Sequence, residues 1–206
     1  MSETTDFAKL PADITPAAFF ELVAQALASE PAPAGASPDK LVIHVHGDAG
    51  GGWNMGFEGG TLKIAEHAPA GAPLQLTLST DDFRAFVAGE IRDAILARTG
   101  GAGAAVDAKK LAKLFRITSK TEQVKAYSGD LQIVLDAPGR SYRMTLTFGG
   151  AAPKPAAPTT TVTFSRDDFL AILDGGLQPQ AAFFAGKIRL DGDMNLAMGL
   201  MALAMG

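Results

Sequence analysis

The sequence predicts an α+β fold made of two similar units, residues 1–104 and 105–206, and three observations carry that expectation. Apolar and polar residues alternate through Trp53-Asn54-Met55-Gly56-Phe57 and again through Tyr142-Arg143-Met144-Thr145-Leu146, 89 residues later, as in half-buried strands. Leu41-Val42-Ile43 returns as Leu131-Gln132-Ile133, and Gly59-Gly60 as Gly149-Gly150, each at a spacing of 90. Leu78 to Gly89 (LSTDDFRAFVAG) returns as Phe164 to Gly175 (FSRDDFLAILDG) at a spacing of 86, so the connection before it is four residues shorter in the second copy.

Taken in order, each unit opens with apolar residues at helical spacing, Pro16 to Ala28 in the first and Val106 to Thr118 in the second. Strands follow. The run Gly47 to Gly52 lies between two of them and reads as a hairpin loop, because it lacks the Gly-x-Gly-x-x-Gly spacing of a phosphate cradle. Ser79 and Ser165 then cap a helix, with Asp82 and Asp168 three positions on to complete a capping box. Phe83, Phe86 and Val87, and likewise Phe169, Ile172 and Leu173, share one helical face.

The copies differ in two places. Thr61 to Ala65 reads as a strand, but its counterpart AAPKPAAP (Ala151 to Pro158) holds three prolines that would remove ladder donors, so an edge or a loop is expected there. Only the second copy continues beyond Pro179 into AAFF, a KIRL strand and a tail, Met194 to Gly206, in which Asn195 alone has a polar side chain. The first copy instead reaches ARTGGAGAA, Ala97 to Ala105.

Composition excludes several functions. With 18 Lys and Arg against 22 Asp and Glu, a net charge of -4 gives no reason for nucleic acid to bind through bulk charge. There is no cysteine, hence no disulfide, thiolate metal site or cysteine nucleophile. MSETTDFAKL has no basic region followed by an apolar core, and a cytoplasmic location is expected. The thirteen residues from Met194 are too few to cross a bilayer as a helix.

His44 and His46 share a strand face, as two metal ligands would, but with only His67 besides no third ligand is evident and no metal site is expected. DGDMN, Asp191 to Asn195, imitates the start of a calcium loop yet has Leu196 at the sixth position and Ala202 at the twelfth; a strand-to-helix turn capped by Asp193 is expected instead. Neither a Gly-x-Ser-x-Gly elbow nor His-Glu-x-x-His occurs, and all three histidines lie in the first unit. No catalytic residue, no enzymatic activity and no cofactor are expected.

As a helix, the tail places Met194, Met198, Met201 and Met205 on one face, with Leu196, Leu200 and Leu203 beside it. Leaving each of these methionines in water would forgo roughly 1.5–3 kcal/mol. Something must cover them. An ordinary core helix satisfies that demand, and so does a wall beside an apolar guest, for which adaptable methionine is the better suited residue.

The run Phe164 to Leu200 (FSRDDFLAILDGGLQPQAAFFAGKIRLDGDMNLAMGL) resembles the C-terminal half of the sterol carrier protein two family. A Ser/Asp-capped helix, a proline-containing turn, an AFF helix, a Gly-Lys-Ile strand and a Gly-x-Met-x-Leu-Ala-Met helix follow in the family's order. The resemblance implies a curved five-stranded sheet covered by helices around an apolar tunnel that holds sterols, fatty acyl chains or other lipids without chemistry. It places Phe183, Phe184, Ile188, Leu190, Met194, Met198 and Met201 around that cavity. Phe164, Phe169 and Leu173 complete its wall, while Lys187 and Arg189 alternate with Ile188 and Leu190 and should face water.

The first unit lacks the Gly-Lys-Ile strand and the Met helix, so the competent cavity is expected in the second, the two packed as a pseudo-dimer with helix 106–118 at the junction. One composite cavity shared by both units makes equal structural sense. Lys109, Lys113, Arg116 and Lys120 form a basic stripe opposite Leu111, Leu114 and Phe115, suited to docking on an anionic membrane or to an ordinary solvated helix face. The expected function is non-enzymatic lipid carriage; the alternative is a protein interaction module whose apolar tail packs against the other unit or a partner.

Overall fold

A computed structural model describes residues 6–28, 31, 40–98 and 126–198. A 3-10 turn, Phe7–Lys9, and helix α1 (Pro16–Leu27) precede strands β1 (Leu41–His46), β2 (Gly51–Glu58), β3 (Thr61–Ala65) and β4 (Leu74–Ser79). Helices α2 (Thr80–Ala88) and α3 (Glu90–Arg98) follow. The second half supplies β5 (Gly129–Ala137), β6 (Arg140–Phe148), β7 (Thr160–Ser165), α4 (Arg166–Leu173), α5 (Pro179–Phe184) and β8 (Ile188–Gly192), and residues 194–198 are helical. The predicted helix 106–118 lies outside the described residues.

Among the described residues the eight strands form one mixed sheet in the order β3-β2-β1-β4-β6-β5-β7-β8. Its two halves repeat each other. β1 runs parallel to β4 with Leu41 opposite Leu74, and β5 runs parallel to β7 with Leu131 opposite Thr160, positions related by the same spacings of 90 and 86 seen in the sequence.

The joint follows from what each half lacks. AAPKPAAP forms no strand, which leaves the outer edge of β6 open, and among the described residues nothing like β8 follows α3 to cover the edge of β4. An exposed edge is a row of unpaired backbone donors and acceptors. The two open edges pair antiparallel, Leu74 opposite Phe148 and Leu78 opposite Met144.

One refinement concerns register. Ile43 faces Trp53, but Ile133 faces Met144, two positions from the Tyr142 that aligns with Trp53 by sequence. The β1–β2 hairpin turns through a longer glycine-rich loop, whereas β5 and β6 join through Pro138-Gly139, with Gly139 at a φ of 87°. A displacement of two keeps every side chain on its own face.

The faces have opposite characters. Ile43, Leu76, Leu146 and Leu131 form one continuous apolar row across four strands, with Val45, Leu78, Met144 and Ile133 beside it. The reverse face carries Gln75, Thr77, Thr145, Thr147, Asp130 and Gln132, all buried. Two connections cross this face and meet its amides. Gln75 Nε2 donates to the Ala151 carbonyl at 2.7 Å, Gln132 Nε2 to that of Pro155 at 2.7 Å, and Asn54 Nδ2 to that of His67 at 2.7 Å. Thr147 donates to Asp130 at 2.6 Å and Gln132 to Thr145 at 3.3 Å, so of these buried groups all but the Thr77 hydroxyl, which is buried without a partner, satisfy one another or the backbone passing over them. Gly52 is small for the same reason: a Cβ there would come within 2.5 Å of that of Ala68, on the connection above it.

Candidate functional site

Helix α1 begins at Thr15, whose side chain accepts from Ala18 N at 3.2 Å, and buries Phe20, Val23 and Leu27 against the first half of the sheet. There it meets an aromatic cluster. Phe20 lies 4.8 Å from Trp53 and 5.9 Å from Phe83, and Phe19 lies 5.3 Å from Phe83 and 6.1 Å from Phe7, centroid to centroid. Phe7, Phe20, Trp53 and Phe83 are all buried. Phe19, Leu22, Phe57 and Ile64 pack around them partly buried, and among the described residues no large apolar side chain of the first half is exposed.

Among the described residues the second half is covered less completely. Its core holds Leu131, Phe148, Val162, Ala182, Ile188 and Ala197, all buried. Around it Phe164, Ile172, Leu177, Phe183 and Leu190 are only partly buried. Positions related by 86 show the contrast: Phe83 is 4% exposed while Phe169 is half-buried, and Val87 is half-buried while Leu173 is 54% exposed.

Of the residues expected around a cavity, Phe164, Phe183, Ile188 and Leu190 pack into one cluster, and Phe169 meets Phe164 edge to face at 6.3 Å. Phe184 is 86% exposed, Met194 52% and Met198 44%; with Leu173 these are large apolar side chains turned substantially outward. Met201 and the basic stripe of Lys109, Lys113, Arg116 and Lys120 lie outside the described residues. The sequence pattern did not place Leu177, nor Leu41 and Leu74 of the first half, in this cluster. Leu74 arrives through the β4–β6 pairing, which no local pattern announces.

The charged rim is ordered by local caps. Ser79 Oγ accepts from Asp82 N at 3.0 Å and donates to Asp82 Oδ2 at 2.8 Å; Ser165 Oγ does the same with Asp168, at 3.1 and 2.7 Å. The carboxylate thus holds the serine hydroxyl. Asp193 Oδ1 accepts from Asn195 N at 2.8 Å and Leu196 N at 3.3 Å, capping the final helix as expected. Lys187 and Arg189 are exposed, and reach Asp168 at 2.6 Å and Asp136 at 3.1 Å.

The hydrogen bond from Lys187, helped by that from Ser165, lowers the Asp168 pKa below the usual carboxylate value. Because the native pKa lies below the unfolded one, this contribution is complete above the ordinary carboxylate range and is lost as pH falls through the native value. Asp168→Asn should therefore destabilise the protein near neutral pH, and the deficit relative to wild type should shrink on acidification. Urea midpoints measured for both proteins across the acid range would check it.

At the junction of the halves, Arg140 reaches Asp82 at 2.9 Å and Glu90 at 3.5 Å, and lies 4.3 Å over the Tyr142 ring. Tyr142 donates to Glu90, and burial first, then that bond, raise the phenol pKa. A recess of about 180 Å³ lined by Ala12, Asp81, Arg84, Glu90 and Arg140 opens here; its charged lining makes it unsuited to hydrocarbon. His44 Nε2 lies 3.0 Å from Gln75 Oε1, and no group of three or more His, Asp or Glu able to hold a metal ion occurs among the described residues. No described helix is long and apolar enough to cross a membrane.

Fold and site together define an α+β protein with an open mixed sheet, in which the exposed large apolar side chains among the described residues, Leu173, Phe184, Met194 and Met198, all belong to the second half. Residues 106–205 match the SCP-2 sterol transfer family. It is 49% identical over 43 residues to human sterol carrier protein 2, a match that covers 21% of this chain and 8% of that protein. Peroxisomal multifunctional enzyme A of Dictyostelium discoideum is 39% identical over 62 residues, covering 30% of this chain and 13% of that one. This chain thus spans a small fraction of the length of these relatives. The crystal structure of sterol carrier protein 2 like 2 from Aedes aegypti aligns at 24% identity and a TM-score of 0.31, covering 43% of this chain and 96% of that one.

Proposed function

We propose that the chain is a non-enzymatic lipid carrier of two units, residues 1–104 and 105–206, with its lipid site on the apolar face of the second. The supporting observation is the inequality of the two halves. Side chains such as Phe164, Phe183 and Leu190 are half-buried, where the first half packs Phe20, Trp53 and Phe83 away from water. Covering partly exposed apolar surface with an acyl chain or sterol removes it from water at about 25 cal/mol per Å² and needs no reacting group. The family match over the second unit points the same way.

The test is direct. Organic extraction of the purified protein followed by mass spectrometry should release a lipid, and cis-parinaric acid should show saturable energy transfer from Trp53, the single tryptophan. Neither lipid nor saturation would reject the proposal. Phe184, Met194 and Met198, substantially exposed, favour a second reading in which this surface docks a protein partner. A chain truncated before Met194 that stays folded and loses lipid binding would decide for the carrier.

A further inference from the structure

Resting on the lipid-carrier reading, we infer that the first unit supplies part of the lipid site's wall through Leu41 and Leu74, making the site composite. Strand β4 occupies the edge of β6 that AAPKPAAP leaves open, so the side chains beside Phe148 and Leu146 on the apolar face are Leu74 and Leu76 of the first unit. Leu74 is buried within the second unit's core cluster and not within the first's. Leu41, its neighbour on β1, is half-buried and packs against both clusters. Among the described residues no other first-unit side chain belongs to both. In the first half the equivalent flank of the sheet is closed by its own strand β3, with Leu62 opposite Phe57 and Ile64 opposite Met55. The second unit has no such strand between β6 and β7, and the first unit's leucines take its place.

This arrangement gives the first unit a function although its own core is packed around Phe20, Trp53 and Phe83. Its leucines set the girth and reach of the site on the flank toward β4. A guest long enough to cross the face past Phe148 meets Leu74 and then Leu41, one row over from Leu131-Leu146-Leu76; a short one does not.

Two measurements test it. A fatty acid carrying a photoactivatable diazirine, bound to the unmodified full chain and irradiated, should leave adducts on peptides containing Leu41 and Leu74 as well as on peptides from 160–198. Adducts confined to the second unit would overturn the inference while leaving the carrier reading intact; no saturable labelling anywhere would overturn both. Independently, Leu41→Phe should weaken displacement of cis-parinaric acid by stearic acid roughly tenfold and that by decanoic acid far less, since the added ring obstructs only the far end of the site. Should Leu41→Phe fail to fold, Leu74→Met, which conserves volume, should shift the stearic-to-decanoic preference in its place. A folded variant with the wild-type preference would count against the inference.

Discussion

Phe148→Ala is expected to lower the thermal midpoint reported by Trp53, although the two residues lie in opposite halves of the chain. Phe148 is 1% exposed at the joint strand β6, opposite Leu74 on one side and Gly129 on the other. Truncating a buried phenylalanine costs about 3–5 kcal/mol, which for a chain of this size moves the midpoint by something on the order of 10 °C. Trp53 sits in the first half's core, 3% exposed, and would sense that destabilisation only if both halves unfold together. A continuous sheet requires this: β4 cannot keep its pairing with β6 when the second half melts, and it would be left with an open edge. Following Trp53 fluorescence and far-ultraviolet circular dichroism on the same samples checks it. A Trp53 midpoint unchanged from wild type, with an earlier transition seen only by dichroism, would show that the halves melt separately.

Phe183→Ala should weaken lipid binding by about ten- to a hundredfold, the equivalent of the roughly 1.5–3 kcal/mol that burying a phenylalanine side chain against a guest supplies. Phe183 is half-buried against the second half's core, so its removal exposes little that the folded protein does not already show to solvent, and the fold should survive. The matched control is Leu22→Ala, which removes a half-buried side chain packed against the first half's core. That variant should bind lipid within about twofold of wild type, since distant and independent sites add. Titration with cis-parinaric acid measures both. Equal weakening in the two variants would remove the distinction between a sealed half and an open one.

Much of the fold was legible in the sequence because it rests on local physics. The spacings of 90 and 86 reappear as matching parallel registers, Leu41 with Leu74 and Leu131 with Thr160. Ser79, Ser165 and Asp193 cap the helices they precede. Three prolines between Ala151 and Pro158 keep that segment out of the sheet. The site was legible to a lesser degree. Phe164, Phe183, Ile188 and Leu190 share one hydrophobic cluster, but nothing in the motif foretold that Phe184 would be 86% exposed, or that Leu74 would join them from the other half.

Periodicity, capping residues and proline positions act over a few residues, and so the sequence by itself determined the class of fold, the repeated element order and the two places where the copies differ. Which open edge meets which, and how fully each apolar face is covered, only the tertiary structure decided. Backbone ladders are nearly indifferent to side-chain identity, so the pairing of β4 with β6 is selected by the shape of the assembled halves and not by any signature in either strand. Burial depends on volume delivered by distant segments: five aromatic rings converge over the first half, while over the second the described residues leave Phe169, Phe183 and Leu190 half-covered.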